Sequence, residues 1–134
     1  MKSTNAHQKF TELHVWQQAR ELKNSVYELV KLFPREEKFS LADQTIRSVR
    51  SVCANIAEGH GRYTYKDQLH FCIQARGSLS ETLNHLIDAL DCEYIDLEKF
   101  NTMEKHMESV AKLLNGYITF LRNDGNQNKT GNNQ

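Results

Sequence analysis

The chain has 134 residues, enough for one domain with a buried core. Its 17 Lys and Arg residues balance 17 Asp and Glu residues, so binding to nucleic acid or to an anionic membrane requires a local patch. No apolar run approaches the roughly 18 residues that span a bilayer, and residues 1–10 lack the apolar segment of a signal peptide. We therefore expect a cytoplasmic protein with no membrane partner.

The metal-binding and redox-active residue types occur without the usual spacings. The three cysteines, Cys53, Cys72 and Cys92, form no CxxC pair and are interpreted as reduced thiols, with the first two in the core. Glu81 and His85 lie four residues apart and can chelate only weakly, because the remaining ligands are missing. We expect no metal and no cofactor.

Four segments carry apolar residues at steps of three and four, which is the spacing of one helix face. The first segment runs from Val15 to Phe33, and Pro34 ends it because the residue before proline avoids the α region. The second segment begins after Ser40, a predicted N-cap. It ends at Gly59, which is predicted to be a left-handed C′ residue.

The third segment begins at Tyr65 with Thr64 as its predicted cap, and it continues for about 27 residues or about 40 Å. Its predicted core face comprises Leu69, Cys72, Ile73, Leu79, Leu83, Leu86 and Leu90. The fourth segment has Asp96 as its predicted N-cap and continues through Leu121. Short connections make sequential helices antiparallel neighbours, so the prediction is an all-α, up-down-up-down antiparallel four-helix bundle over residues 13–122. Residues 1–12 are predicted to be a flexible N-terminal segment, and residues 123–134 a disordered tail without a large apolar residue.

Polar residues fall where the second and third helices should pack. We predict that they form a structural polar network that fixes helix register or subunit contacts. In it, Glu58 pairs with either Arg62 or Arg76. The alternative is acid–base chemistry by two carboxylates, but no nucleophile or metal set accompanies them, so we expect no enzyme. The predicted network comprises Asn55, Glu58, Gly59, Gly61, Ser78 and Glu81.

Basic residues cluster around the sequence Gly-His-Gly-Arg at 59–62. This turn is either an anion-binding nest or simply a helix stop that reverses the chain. Between Gly77 and Glu98 there are six acidic residues and no Lys or Arg. This charge asymmetry suits a head-to-tail ring of subunits, a basic surface that contacts phosphates, or a solvated surface with neither role. The candidate nucleic-acid-binding residues are Arg47, Arg50, Arg62 and Lys66.

Six sequence motifs resemble a known family. They are VWQQAREL at 15–22, VYEL at 26–29, FP at 33–34, LADQ at 41–44, NIAEGHGR at 55–62 and ARGSLSET at 75–82. The pattern is similar to four-helix-bundle proteins of the S23 type, named for reading frames within intervening sequences of bacterial 23S ribosomal RNA genes. A related branch comprises accessory proteins of diversity-generating retroelements.

The resemblance covers about residues 13–95 and implies a ring-like homo-oligomer, commonly a pentamer. For the retroelement branch it also implies binding of nucleic acid and of a reverse transcriptase, although that branch is strongly basic and this chain is neutral. We expect a non-enzymatic scaffold or accessory factor for an RNA, DNA or ribonucleoprotein partner. The alternative is a protein–protein interaction module that recruits a partner such as a polymerase without contacting nucleic acid.

Overall fold

Helices account for nearly all of the described chain. The structure, a computed structural model, describes residues 8–132, with side chains through residue 124. The four helices are α1 (His14–Val30), α2 (Leu41–His60), α3 (Tyr65–Asp91) and α4 (Leu97–Asn132). Single 3-10 turns precede α1 at Phe10–Glu12 and α2 at Arg35–Glu37, and no strand occurs within residues 8–132. The all-α prediction is confirmed.

Each helix packs against two neighbours. Contacts join α1 to α2, α2 to α3, α3 to α4 and α4 back to α1. In the described chain, no Cα atoms of the diagonal pairs α1–α3 and α2–α4 lie within 8 Å of each other. This is the up-down-up-down bundle expected from short connections. The most extensive contact is between α2 and α3, and their connection lies at the end of the bundle where α1 begins.

The helix starts follow the predicted caps, with one exception. The Thr64 hydroxyl accepts the Asp67 N–H at 3.1 Å, and the Asp96 carboxylate accepts the Lys99 N–H at 2.8 Å. Ser40 occupies the N-cap position of α2, but its backbone (φ −122°, ψ −102°) lies outside the extended conformation of a capping residue, and its side chain makes no capping bond. Glu37 supplies the capping oxygen instead, accepting the Leu41 N–H at 3.1 Å.

The prediction for Gly59 is wrong. This residue is helical and buried, none of the described glycines has a positive φ, and α2 continues to His60 with Gly61 as its C-cap. A Cβ at position 59 would lie 2.9 Å from the Phe71 Cβ and 3.2 Å from the Gln68 carbonyl oxygen. Glycine is needed here because α3 crosses α2 closely.

The left-handed C′ residue occurs elsewhere, at the end of α3. Glu93 has φ 62°, and its N–H donates to the Leu90 carbonyl at 3.0 Å. The Tyr94 N–H donates to the Ala89 carbonyl at 2.9 Å. These two bonds form a Schellman motif in which glutamate takes the place usually held by glycine.

The core is a continuous apolar interior shared by all four helices. Ile73, predicted in the core face of α3, is instead 37% exposed. The buried face of α3 is narrower than predicted, and Ile73 lies just outside it. Its residues follow one another at steps of three and four, and their small side chains allow the close approach of α2. The buried α3 residues are Cys72, Ala75, Leu79, Thr82, His85, Leu86 and Ala89.

The fourth helix is longer than the sequence predicts. Its backbone continues to Asn132, ten residues beyond the predicted end of the bundle at residue 122. Of the predicted flexible and disordered segments, residues 1–7 and residues 133–134 lie outside the described residues. None of the helices in the described part combines the length and apolar composition that a bilayer crossing requires.

Candidate nucleic-acid interface

The four predicted phosphate-binding residues fall into two separate places. Arg47 and Arg50 lie on the exposed middle of α2, whereas Arg62 and Lys66 lie at the connection between α2 and α3. At about 1.5 Å per residue, Arg50 and Arg62 are about 18 Å apart along the helix axis. The predicted cluster is therefore two patches on different parts of the surface.

The first patch joins α1 to α2. The Arg50 guanidinium lies 5.4 Å from the centre of the Tyr27 ring, and its Nε donates to the Tyr27 hydroxyl. The Lys23 ammonium lies 5.8 Å from the same ring. One turn earlier, the Arg20 guanidinium lies 5.8 Å from the Trp16 ring. We call this set of residues (Trp16, Arg20, Lys23, Tyr27 and Arg50) the α1–α2 patch.

The sequence contained a signal for the α1 half of this patch. Trp16, Arg20, Lys23 and Tyr27 follow one another at steps of four, three and four, so they share one helix face. The predicted basic cluster was confined to residues 47–76 and did not include them. Their association with Arg50 depends on the packing of α1 against α2, which spacing along the chain does not reveal.

Charged residues of both signs surround the α1–α2 patch, and Glu21 lines the same surface depression as Trp16 and Arg20. Arg47, one turn before Arg50, is paired with Asp43 at 3.0 Å. Burial raises the pKa of the Cys53 thiol, and the positive charges of Lys23 and Arg20 oppose that rise. Cys53 is thus a neutral thiol buried near the patch, and its behaviour is that of a small core hydrophobe.

The second patch lies at the Gly-Arg turn. The Arg62 guanidinium donates to the Glu58 carboxylate at 2.8 Å and lies 4.6 Å from the centre of the Phe71 ring. Lys66 has no ionic partner among the described residues, and the neighbouring Tyr63 is 99% exposed. This patch therefore contains the ion-paired guanidinium of Arg62, the unpaired ammonium of Lys66 and the solvent-exposed ring of Tyr63.

The hydrogen bonds of the turn favour a helix stop over an anion nest. The Gly61 N–H donates to the Glu58 carbonyl at 3.1 Å, and the Arg62 N–H donates to the Gly59 carbonyl at 3.0 Å. Both donors that a nest would direct at an anion are already used by the last turn of α2. The Arg62 guanidinium also faces a carboxylate, which competes with any anion.

The predicted polar network divides into a part between helices and a part in solvent. The Asn55 amide donates to the Ser51 carbonyl and hydroxyl, both at 2.9 Å, and the Ser78 hydroxyl donates to the Ser51 hydroxyl at 2.9 Å. Ser51, which the sequence did not single out, therefore links Asn55 to Ser78. Further along the same helix pair, the hydroxyls of Ser48 and Thr82 lie 2.7 Å apart.

The two carboxylates do not join this network. Glu58 pairs with Arg62, one of its two predicted partners, while Arg76 donates to the Asn115 amide oxygen at 3.2 Å. Glu81 contacts His85 at 3.2 Å on its own helix. Both carboxylates are more than half exposed, so neither is part of the buried contact between α2 and α3.

No group of three or more His, Cys, Asp or Glu side chains in the described chain is placed to hold a metal ion. Burial raises the pKa of the Cys72 thiol to about 11, so this cysteine is not a ready nucleophile. A shallow depression beside Trp16 is lined by polar side chains, including Gln17, Arg20 and Asn24. The absence of enzymatic activity stays a prediction.

Comparison with known proteins identifies a single family. The sequence model described as "23S rRNA-intervening sequence protein" matches residues 11–116. No curated protein matches the chain. The fold is similar to that of a protein of unknown function from the S23 ribosomal protein family of Bacteroides thetaiotaomicron VPI-5482, with a TM-score of 0.72 and 27% sequence identity. The similarity covers 78% of this chain and 97% of the other.

Proposed function

Because the chain belongs to the 23S rRNA-intervening sequence protein family, also called S23, we propose that it is a non-enzymatic cytoplasmic accessory protein that binds RNA or DNA through the α1–α2 patch. The observation that carries this proposal is the grouping of three cations on two aromatic rings. We also propose that it self-associates into a ring-like homo-oligomer of about five subunits. The subunit number comes from family resemblance.

The composition of the α1–α2 patch suits the phosphate backbone of a nucleic acid. Arg20, Lys23 and Arg50 provide positive charges for phosphates, and the half-buried rings of Trp16 and Tyr27 hold these cations in place. The chain has no net charge, so this attraction must be local. Six of the 17 acidic residues lie elsewhere, between Gly77 and Glu98.

A salt titration tests the proposal. Binding of single-stranded RNA and DNA oligonucleotides is measured from about 50 to 300 mM salt for the wild type and for the Lys23→Ala/Arg50→Ala double variant. If both residues contact phosphates, the variant loses about ten-fold or more in affinity at low salt. The slope of log K against log salt falls by about 1.4, at about 0.7 per phosphate contact.

The matched control is Lys105→Ala/Lys112→Ala, which removes the same charge from two exposed positions on α4. It should bind like the wild type. Three results contradict the proposal: no binding at about 50 mM salt, an affinity that ignores ionic strength, or an equal loss in the control.

A protein partner is the second candidate function. Three large apolar side chains are unusually exposed: Phe39 (85%), Leu97 (61%) and Leu32 (49%). They lie at the end of the bundle where α1 ends and where α2 and α4 begin. Recovery of one stoichiometric protein after nuclease treatment, lost in a Phe39→Asp variant, favours this function over nucleic-acid binding.

A further inference from the structure

Three arginines on α2 and just after it differ in the charge of the group that holds them. The Arg47 Nε lies 3.0 Å from the Asp43 carboxylate, and an Nη of Arg62 lies 2.8 Å from the Glu58 carboxylate. Each of these guanidinium groups therefore has a negative charge beside it. Arg50 is different, because it forms no ion pair within residues 8–124.

The group that holds Arg50 is the Tyr27 hydroxyl, which carries no charge. The Arg50 Nε donates to this oxygen, and the guanidinium carbon lies 5.4 Å from the centre of the ring. No hydrogen bond or ion pair within residues 8–124 uses either Nη group of Arg50. A guanidinium that is held at Nε is fixed in orientation, while its two Nη groups remain free to donate to two oxygens of one phosphate.

The position of the Tyr27 hydroxyl is set by the packing of the bundle. The Tyr27 ring is half-buried and packs against the core, whereas the Arg50 side chain is exposed. A side chain whose rotamer is locked by packing can hold a neighbouring group in one geometry. The hydroxyl is thus a fixed point on α1 to which a long, solvated side chain of α2 is attached.

A second cation at the same ring makes this attachment necessary. The Lys23 ammonium lies 5.8 Å from the centre of the Tyr27 ring, and Lys23 also forms no ion pair within residues 8–124. Like charges repel, and an exposed arginine gains rotamer entropy when it moves away into solvent. The hydrogen bond from Nε opposes both effects and keeps the Arg50 guanidinium in the α1–α2 patch.

We propose that Tyr27 is a positioning residue of the nucleic-acid site, which orients Arg50 through its hydroxyl so that both Nη groups contact one phosphate of the backbone. This rests on the nucleic-acid binding in the proposed function and names an uncharged residue that determines its affinity. A carboxylate would orient the guanidinium equally well, but it would also neutralise the charge, as Asp43 does for Arg47. The hydroxyl orients Arg50 and leaves its charge available to the phosphate.

A double-mutant cycle tests the proposal. Affinity for one single-stranded RNA oligonucleotide is measured at about 50 mM salt for the wild type, Tyr27→Phe, Arg50→Ala and the double variant. Tyr27→Phe retains the ring and loses only the hydroxyl. Affinity should fall about three- to ten-fold, which is the order of the cost of ordering one long side chain. In the Arg50→Ala background the same substitution should change affinity by less than about two-fold, because no guanidinium remains to be oriented.

The matched control is Tyr117→Phe, which removes the hydroxyl of another half-buried tyrosine, on α4, and should bind like the wild type. A Tyr27→Phe protein that binds within about two-fold of the wild type overturns the positioning role and leaves nucleic-acid binding in place. An equal loss with and without Arg50 also overturns it, because a purely structural effect of Tyr27 would lower affinity in both backgrounds. A wild type that binds neither RNA nor DNA at about 50 mM salt overturns both the positioning role and the proposed nucleic-acid binding.

Arg50→Lys provides a second measurement at constant net charge. A lysine ammonium is a point charge on one nitrogen, so it cannot donate to the Tyr27 hydroxyl and also present two parallel N–H groups to a phosphate. Affinity should therefore fall about three-fold or more although no charge is removed. Wild-type affinity in Arg50→Lys contradicts the proposal, because a positive charge without orientation would then be sufficient at this position.

Discussion

Replacement of Gly59 by alanine tests the close crossing of α2 and α3. The new methyl group would lie 2.9 Å from the Phe71 Cβ and 3.2 Å from the Gln68 carbonyl oxygen. Both atoms belong to or adjoin the α3 backbone, so neither can move aside by a rotamer change, and the helix itself must shift. Overpacking of this kind costs about 1–3 kcal/mol. Alanine restores about 1 kcal/mol through its higher helix propensity, so the expected net loss is up to about 2 kcal/mol.

The assay is urea denaturation followed by circular dichroism, at one fixed protein concentration because self-association adds to stability. With a slope of about 2 kcal/mol per molar urea, the expected loss lowers the midpoint by up to about 1 M. Gly116→Ala is the matched control. It is also an interior helical glycine, but a Cβ there meets no atom within 4 Å, so it should gain about 0.5–1 kcal/mol. A Gly59→Ala protein that gains as much stability as Gly116→Ala would refute the close-crossing argument.

Three further predictions use other features of the fold. Glu93→Gly should stabilise the protein by up to about 1 kcal/mol, measured by urea denaturation, because it relieves a positive φ at the end of α3, and Glu93→Ala should not. Glu37 accepts from the Tyr94 hydroxyl and the Leu41 N–H, which hold its pKa below 4.5, so its stabilising contribution is present above pH 4.5 and lost as the pH falls through its folded-state pKa. The same contact raises the pKa of Tyr94 from 10 to about 12, so stability should also fall between pH 10 and about 12. Urea midpoints across both windows should change less in Glu37→Gln than in the wild type. Gly77→Ala should raise the free energy of unfolding by about 0.5–1 kcal/mol in the same urea denaturation, because a Cβ at this exposed helical position meets no atom within 4 Å.

The helical bundle could be predicted from the sequence because apolar spacing and helix caps each involve residues only a few positions apart in the chain. Thr64 and Asp96 cap α3 and α4 as predicted, since a cap joins residues only three apart. The apolar stripes at steps of three and four indicated which helix faces pack, and the short connections indicated which helices are neighbours. Ile73 was wrongly predicted to be in the core, because helical spacing alone does not distinguish the residues of a narrow buried face from those beside it.

The errors concern features that depend on a second helix. Gly59 looks like a helix stop in sequence, but its backbone is helical and its role is to admit α3. Ser51 was missed because its importance comes from Asn55 on its own helix and Ser78 on the next. Arg50 was identified, but its association with Lys23 and Tyr27 arises only when α1 packs on α2.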